Sequence, residues 1–303
     1  KYLNKMKPFF SIIIPTYNQG NFLKKCLNSI FAQNFKNYEV ILIDNHSTDT
    51  TKNIIEKYKK KIIYRKILNR GVIAKSRNLG MKVAKGEWLA FLDSDDTWKK
   101  EKLSRIYNKI KTNKFDVICH GEWLLKKGKK KFELCGPNEN NFYQKLILMG
   151  NRLSTSASIV NKRFIKKNQI SFNINKKFIT TEDYYFFLEC ARKRGKFHFL
   201  NEALGYSNIH EKSASSNFKI HTNSENEVLK HHIFKLQNFT KDKNKLWNDV
   251  QNYRKIKKNL VDFKNNKTFQ KLLNNLISHP FKFSSYCRYV FLKKLKQFYY
   301  SLL

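Results

Sequence analysis

The sequence of 303 residues contains few cysteines, prolines and glycines, and it has no long apolar run. Its five cysteines include no CxxC pair and follow no regular spacing, which excludes a disulfide scaffold or zinc ribbon and favours a reducing compartment. No uncharged apolar run approaches the ~18 residues that a membrane-spanning helix needs, so no transmembrane helix is expected. Residues 1–8 are polar and lack the apolar stretch of a secretory signal. These absences predict a cytoplasmic protein.

Acidic residues are also scarce, since 61 Lys and Arg stand against 23 Asp and Glu, a formal net charge of +38. This excess indicates a polyanionic partner, either nucleic acid or an anionic membrane surface. It is equally typical of an AT-rich genome, in which Lys, Asn, Ile and Phe are all frequent. Hydrophobic residues still make up 41% of the chain, which is enough to bury a core and excludes disorder for most of it.

Apolar β-branched segments alternate with helical patterns along the first hundred residues. The predicted strands are Phe9–Ile14, Tyr38–Ile43, Ile62–Ile67 and Trp88–Leu92. This alternation predicts βαβ units, an α/β fold and a mainly parallel sheet with functional groups at the carboxyl ends of the strands. No internal repeat and no Gly/Ser-rich or Pro-rich linker is present, but beyond about residue 220 the pattern becomes almost wholly helical and basic.

A dense acidic turn, Asp93-Ser94-Asp95-Asp96, follows the strand that begins at Trp88. Three carboxylates within four residues repel one another unless a cation is present. Carboxylate oxygens suit Mg²⁺ or Mn²⁺, which would link the turn to a diphosphate. The alternative is an acidic turn that caps the helix beginning near Lys99.

Four motifs occur in one order: Ser11–Asn18 (SIIIPTYN), Ile43–Asp49 (IDNHSTD), Arg77-Asn78 with Gly80, and Phe91–Trp98 (FLDSDDTW). Together they resemble the inverting family 2 glycosyltransferases over about residues 8–215. The resemblance implies a GT-A fold, which is a Rossmann-like mixed, mainly parallel sheet flanked by helices. We therefore predict a GT-A domain over 1–220, with a nucleotide-sugar half at about 8–100 and an acceptor half at about 100–220. A basic helical C-terminal region over 221–303 follows it.

The resemblance also implies which residues bind the nucleotide sugar. They are Pro15, Thr16, Tyr17, Asn18, Asp44, Asn45, Arg77, Asp93, Ser94 and Asp95. Tyr17 would pack on the base, and Asn45 stands where the family commonly has an Asp that accepts from the uracil imide. An amide oxygen can still accept without charge assistance, so a uridine nucleotide is our first choice, with thymidine or another base as the alternative. Arg77 would contact the nucleotide or diphosphate, or else lie on a solvated helix face.

For the metal, the resemblance implies Asp95 as the direct ligand, with Asp93 nearer the ribose and metal-bound water. His210, in a segment similar to the family's closing loop, would reach the metal or the diphosphate; the alternative is an ordinary surface loop histidine. The expected cofactor is Mg²⁺ or Mn²⁺. Trp98 and Asp96 would lie on the acceptor side, although simple core packing explains Trp98 equally well.

The segment Thr180–Phe187 carries a Glu-Asp pair followed by aromatic residues. An Asp at a helix start is most often an N-cap. In the family, however, such a pair holds the catalytic base, which implies Asp183 as general base and Glu182 as its neighbour. One direct displacement would invert the anomeric centre, so no enzyme nucleophile is needed.

Residues 231–303 contain 16 Lys and Arg against three acids, and within them Ser278–Leu303 predicts a helix with an apolar stripe flanked by Tyr and Lys. This pattern is typical of an interfacial membrane binder, or of a terminal helix docked on the catalytic domain. We expect a peripheral protein on the inner face of the cytoplasmic membrane.

The expected partners are a nucleotide-sugar donor, UDP-glucose being the specific choice, and a polyprenyl-diphosphate-linked glycan acceptor. The overall layout resembles glucosyltransferases that branch the lipid-linked oligosaccharide of bacterial N-glycosylation. A capsule or lipooligosaccharide enzyme of the same family is one alternative, and a basic scaffold without catalysis is another. No nucleic-acid-binding module is found, so no nucleic acid is expected.

Overall fold

A computed structural model describes residues 7–137, 139–211, 213 and 216–266, with side chains described to residue 256. The described residues fall into two compact units, the first drawn from 1–138 and 152–228 and the second from 139–151 and 229–303. The predicted amphipathic helix of 278–303 lies outside the described residues. Among the helices that are described, none combines the length and apolar composition that crossing a membrane requires.

The first half of the larger unit alternates strands and helices, as predicted. Its elements are β1 (Phe10–Thr16), α1 (Gly20–Phe31), β2 (Tyr38–Asp44), α2 (Thr51–Tyr58), β3 (Ile63–Lys66), α3 (Ile73–Val83) and β4 (Trp88–Phe91). Strands β3, β2, β1 and β4 lie side by side in that order and are parallel. Continuous apolar runs form β1 and β4 because helices cover both faces of a parallel sheet. The predicted α/β class is confirmed.

The second half of this unit adds antiparallel pairs to the same sheet. Its elements are β5 (Thr97–Trp98), α4 (Lys102–Thr112), β6 (Val117–Lys126), β7 (Lys129–Glu133), β8 (Ser158–Asn161), α6 (Lys162–Lys167), α7 (Glu182–Arg192) and β9 (Phe197–Asn208). Strand β8 is antiparallel to both β4 and β6, and β6 is parallel to β9. Strands β1, β2, β3, β4, β6 and β9 therefore run in one direction, and their carboxyl ends meet at one end of the sheet.

Helix α3 packs unusually close to strand β1, and glycine permits this. A Cβ atom at Gly80 would lie 2.4 Å from Ile13 Cγ2, closer than side-chain carbons ever approach. The close approach sets the N-terminal part of α3 beside the carboxyl ends of the strands.

Strand β9, which is 12 residues long, was not predicted from the sequence. Buried and partly exposed residues do not alternate regularly along β9, and Glu202 and Gly205 interrupt its apolar residues. The sequence therefore lacks the two-residue hydrophobic period that predicts a strand. Strand β6 runs to Lys126 and is joined to β7 by a tight turn in which Lys127 and Gly128 both have positive φ.

The smaller unit is helical. It contains α5 (Phe142–Met149) and α9 (Lys243–Asn266), and a helix that begins in the larger unit, α8 (Phe218–His231), ends in it. A π-helical turn, His232–Leu236, follows α8. Leu246, Val250 and Ile256 of α9 are buried. The predicted boundary near 220 lies in the first turn of α8, whereas the division between the units follows Val228.

Candidate active site

The loops after β1 and β2 are joined by the side chain of Asn18. Its backbone N–H donates to Ser47 Oγ at 2.9 Å, and its side-chain oxygen accepts from the Thr48 N–H at 2.8 Å. Asn18 has φ +50°, a left-handed conformation that Asn tolerates. Pro15 and Thr16 are buried before it, whereas Tyr17 is 55% exposed at the carboxyl end of β1. The position of Tyr17 is compatible with packing on a base.

Asp44 ends β2 as a fully buried carboxylate that holds the turn after the strand. One oxygen accepts from the N–H and the hydroxyl of Ser47, at 2.9 and 2.6 Å, and the other accepts from the Tyr64 hydroxyl at 3.0 Å. Burial and this contact with Asp44 raise the pKa of Tyr64. Both carboxylate oxygens of Asp44 thus have protein partners, and these contacts fix the shape of the turn after β2.

The side-chain oxygen of Asn45 accepts a hydrogen bond from the backbone N–H of Asn69 at 2.8 Å. Because only the amide oxygen can accept from this N–H, the NH₂ group of Asn45 is turned to the other side. Asn69 is itself fixed by its side chain, which donates to Ser76 Oγ at 2.9 Å and accepts from the Gly71 N–H at 2.9 Å. The expected acceptor oxygen of Asn45 is therefore already engaged within the protein.

Arg77 on α3 connects two motifs that lie far apart in the sequence. Its guanidinium donates to Asp93 Oδ1 and to Glu182 Oε1, both at 2.7 Å. Arg77 is 3% exposed, which contradicts the alternative of a solvated helix face. It also lies over the ring of Phe172, 5.4 Å from the centroid. The structure thus places Arg77 as the link between the acidic turn after β4 and the start of α7.

The charges at this link shift one another's pKa values. Burial alone would lower the pKa of Arg77, but Asp93 and Glu182 raise it, so the guanidinium stays charged. Burial raises the pKa of Glu182, and Arg77 opposes that shift. Burial likewise raises the pKa of Asp183, again against the influence of Arg77. Thr155 Oγ1 donates to Asp183 Oδ2 at 3.4 Å, so this carboxylate at the start of α7 contacts the turn that precedes β8.

His210 approaches the acidic turn from the segment after β9. Its Nε2 lies 2.9 Å from Asp95 Oδ2, and its ring stacks on Phe22 of α1 with centroids 4.9 Å apart. The side chains of His210 and Asp95 are 21% and 19% exposed, so both are accessible from solvent. Burial and the neighbouring Asp93 raise the pKa of Asp95. His210 is therefore built into the acidic turn and is not an isolated surface histidine.

Trp98 and Asp96, expected on the acceptor side, lie beneath the surface at 4% and 5% exposure. The Trp98 indole N–H donates to the Ser156 carbonyl at 2.9 Å, which agrees with the core-packing alternative. Asp96 Oδ1 accepts from the Asn208 N–H at 2.9 Å. Burial raises the pKa of Asp96 well above its usual range, and Asp95 and Glu122 add to the shift. Both side chains are thus held inside the protein, and Asp96 is the buried end of the acidic turn itself.

Two residues that were not predicted from the sequence hold the acidic turn and Trp98 in place. Ser156, 1% exposed, accepts from the Asp93 N–H at 3.0 Å through its hydroxyl, which also bonds the Asp96 carboxylate. Lys102, fully buried, donates to the Ser156 carbonyl at 2.7 Å and lies 3.5 Å from the Trp98 ring centroid. Burial lowers the pKa of Lys102 well below its usual range. Lys102 lies four residues before the buried Ile106, on the same face of α4, and this spacing was the sequence signal that Lys102 is buried.

The structure therefore brings the predicted catalytic, metal and diphosphate residues together at the carboxyl end of the sheet. The group comprises Arg77, Asp93, Asp95, Glu182, Asp183 and His210. The predicted base-binding residues lie at the neighbouring ends of β1 and β2. Such an arrangement can hold an anionic ligand along the strand ends with a carboxylate base beside it.

A family model described as "Glycosyl transferase family 2" matches residues 11–159. The chain is 32% identical over 212 residues to WfaP of Escherichia coli, a UDP-Glc:alpha-D-GlcNAc-diphosphoundecaprenol beta-1,3-glucosyltransferase, covering 68% of this chain and 80% of WfaP. The chain belongs to glycosyltransferase family 2. The predicted family and the predicted glycosyltransferase activity are confirmed.

A second relative and a solved structure are also similar to this chain. The chain is 29% identical over 227 residues to TarP of Staphylococcus aureus, a poly(ribitol-phosphate) beta-N-acetylglucosaminyltransferase, covering 72% of this chain and 68% of TarP. The structure of S. aureus TarS 1–349 in complex with UDP-GlcNAc matches with a TM-score of 0.61 at 23% identity, covering 91% of this chain and 79% of that one. The chain spans 43% of the longer TarS structure. The predicted GT-A fold is confirmed.

Proposed function

We propose that this glycosyltransferase moves a hexose from a UDP-sugar, with UDP-glucose as the specific donor, to a hydroxyl of a polyprenyl-diphosphate-linked glycan with inversion. The observation that carries the proposal is the Arg77 bridge, because it fixes Asp93 of the donor motif beside Glu182 and the base Asp183. The diphosphoundecaprenol acceptor and UDP-glucose donor of WfaP support the acceptor and the sugar, and the UDP-GlcNAc complex of TarS supports the uridine.

The chemistry is a single displacement. Asp183 accepts the proton of the acceptor hydroxyl, whose oxygen forms a bond to the anomeric carbon of the donor. The bond from that carbon to the diphosphate breaks on the opposite face, and its electron pair leaves with the nucleoside diphosphate. Because burial raises the pKa of Asp183, its carboxylate is a stronger base than an exposed one. Glu182 neutralises Arg77 and thereby leaves Asp183 available to the acceptor.

A divalent cation, Mg²⁺ or Mn²⁺, fits the acidic turn only together with the donor. Within the part of the chain that the structure describes, no group of three His, Cys, Asp or Glu could hold a metal alone. Asp95 and His210 supply one carboxylate and one imidazole at the mouth of the turn. Mg²⁺ typically combines one or two carboxylates with substrate phosphates and water, so the donor diphosphate would complete the ligand set. When bound, the cation stabilises the charge that develops on the leaving diphosphate.

The test is nucleoside-diphosphate release by the purified chain with a panel of UDP-, dTDP- and GDP-sugars and a short-chain GlcNAc-diphosphate-lipid analogue as acceptor. We expect turnover with UDP-glucose that EDTA abolishes and Mn²⁺ or Mg²⁺ restores. Transfer to poly(ribitol phosphate) instead, the acceptor class in TarP's name, would contradict the lipid-linked acceptor. The product, analysed by NMR, would show whether the linkage suits a branch of an N-glycosylation oligosaccharide or a capsule or lipooligosaccharide unit.

Two further proposals concern the location of the enzyme and its partners. The C-terminal region would hold the enzyme on the anionic inner face of the cytoplasmic membrane, where a polyprenyl-linked acceptor is found. This proposal rests on the positive excess and aromatic pattern of 231–303. The absence of a nucleic-acid partner also stays a prediction.

A further inference from the structure

The most exposed large hydrophobic side chains of the larger unit, apart from Tyr17, are Leu68, Ile174, Ile209, Phe218 and Ile220. Their exposure ranges from 39% at Ile209 to 75% at Phe218. Single exposed apolar residues scattered over a surface are normal and need no explanation. These five, which we call the apolar rim, are not scattered, because each is tied to the same end of the sheet.

Three members of the rim are placed by the strands and by α3. Leu68 follows β3 by two residues, and the N–H of the preceding Ile67 donates to the Asp44 carbonyl at 3.0 Å. Ile209 directly follows β9, and its N–H donates to the Leu125 carbonyl at 2.8 Å. Ile174 lies two residues after Phe172, which exchanges two hydrogen bonds with Asn78 of α3 at 2.8 and 2.9 Å.

The other two members lie in the first turn of α8. His221 Nδ1 in that turn is 3.1 Å from Thr180 Oγ1, and Thr180 lies just before Glu182, the partner of Arg77. Phe218 and Ile220 therefore stand beside the loop that leads into the proposed catalytic base. The five rim residues therefore lie at or next to the elements that carry the proposed active site.

Around the rim residues other than Ile209, which Glu211 follows by two positions, cations lie without acidic neighbours in sequence. The segments 66–70, 174–177 and 218–220 contain five Lys and Arg and no Asp or Glu. All five are exposed: Lys66, Arg70, Lys176, Lys177 and Lys219. Lys177 forms an ion pair with Glu227 at 4.0 Å, and its side chain is 71% exposed. Apolar side chains interleaved with exposed cations complement a surface whose interior is apolar and whose boundary is anionic.

We infer that the apolar rim docks on an anionic lipid bilayer, so that the active-site mouth faces the membrane. This inference rests on the proposed function, since a bilayer-facing mouth suits an acceptor whose diphosphate is anchored in that bilayer. It places the contact on the catalytic unit itself, in addition to any contact by the C-terminal region. A soluble anionic polymer would match the cations but would leave the five apolar side chains in water.

Co-sedimentation with phosphatidylcholine vesicles, with and without phosphatidylglycerol, tests the inference on the full chain. The variant L68E/I174E places charge in the rim, and A32E/N113E adds the same charge at exposed positions where α1 and α4 end, at the opposite end of the sheet. We expect the rim variant to lose at least about 10-fold in binding to anionic vesicles, because each burial of an Ile or Leu is lost. The control variant should bind within about twofold of wild type, because the ends of α1 and α4 are not expected to contact lipid.

The charge contribution is measured separately with K176S and K219S. Each should weaken binding to anionic vesicles roughly fivefold and leave binding to neutral vesicles unchanged. Equal vesicle binding by wild type and L68E/I174E, or no vesicle binding by wild type, would overturn the inference. So would wild-type binding to poly(ribitol phosphate) in place of vesicles.

Transfer to the short-chain acceptor analogue separates this inference from the proposed function. We expect L68E/I174E to keep wild-type transfer to that soluble analogue while it loses vesicle binding. If wild type binds vesicles through the rim but transfers no hexose to any lipid-diphosphate acceptor, the proposed function fails and the docking surface stands.

Discussion

Replacing Arg77 by Met removes a buried guanidinium while keeping most of its volume. Arg77 and Glu182 have side-chain exposures of 4% and 8%, so the substitution leaves a buried carboxylate without its cation, and it also frees Asp93. Breaking a buried ion pair on one side costs about 3–5 kcal/mol in the free energy of unfolding. For a folded unit of about 150–250 residues, the size of the larger unit that contains Arg77, that loss corresponds to a fall in Tm of roughly 6–20 °C.

The assay is thermal unfolding of R77M followed by circular dichroism, with R105M as matched control. Arg105 and Glu202 form an ion pair of 2.9 Å whose side chains are 56% and 40% exposed, so its loss should cost about 0–1 kcal/mol. Adding E182Q to R77M should restore part of the stability, because the uncompensated charge is then gone. A Tm for R77M within the range of R105M would refute the reasoning.

The pH dependence of the R77M defect provides a second check on its cause. Burial already raises the pKa of Glu182, and loss of Arg77 removes the group that opposes this shift. A carboxyl with a raised folded-state pKa destabilises the fold at higher pH and ceases to do so once it is protonated. The Tm difference between wild type and R77M should therefore shrink between pH 8 and pH 5. A constant difference would indicate lost packing instead.

Three further substitutions or conditions probe the site. The kcat/KM for transfer should fall as the pH is lowered, because the protonated carboxyl of Asp183 accepts no proton. Burial raises the pKa of Asp183, so the inflection should lie above the ordinary Asp value of about 3.9. An inflection at or below that value would argue against Asp183 as the base. S156A should lower stability by about 1–3 kcal/mol in denaturant titration, since the buried Asp93 N–H loses its acceptor, and an unchanged midpoint would contradict that role. N45D should bind UDP roughly 10-fold more tightly by calorimetry. One oxygen of the new carboxylate keeps the hydrogen bond from the Asn69 N–H, and the other gains a charge-assisted bond to the base. Equal affinity would mean that the side chain at position 45 does not face the base.

The strands and the strand-end motifs were predictable because their signals are local. Strands β1 and β4 are apolar runs that end directly in polar turns, and a parallel sheet places such turns together. Asp93 and Asp183 were predicted as parts of one site through the family resemblance that the ordered motifs carry. That pattern requires no knowledge of how individual side chains pair.

The supporting contacts were not predictable because they are long-range. Arg77 and Glu182 are 105 residues apart, and nothing near either residue indicates the other. Ser156 was missed for the same reason, as its partner Asp93 lies 63 residues away. Strand β9 was missed because its pairing with β6 overrides a sequence that shows no clear alternation.

The central claim is that Asp183 is the general base of an inverting transfer at a donor site organised by Arg77. The most direct measurement is the transfer rate of D183N together with its dissociation constant for the nucleotide sugar. Glu87→Gln, an exposed carboxylate at the start of β4, serves as control. We predict a rate about 10²–10⁴-fold below wild type with the dissociation constant within about twofold, because only proton transfer is lost. Wild-type transfer by D183N, or a matching loss of donor binding, would contradict the claim.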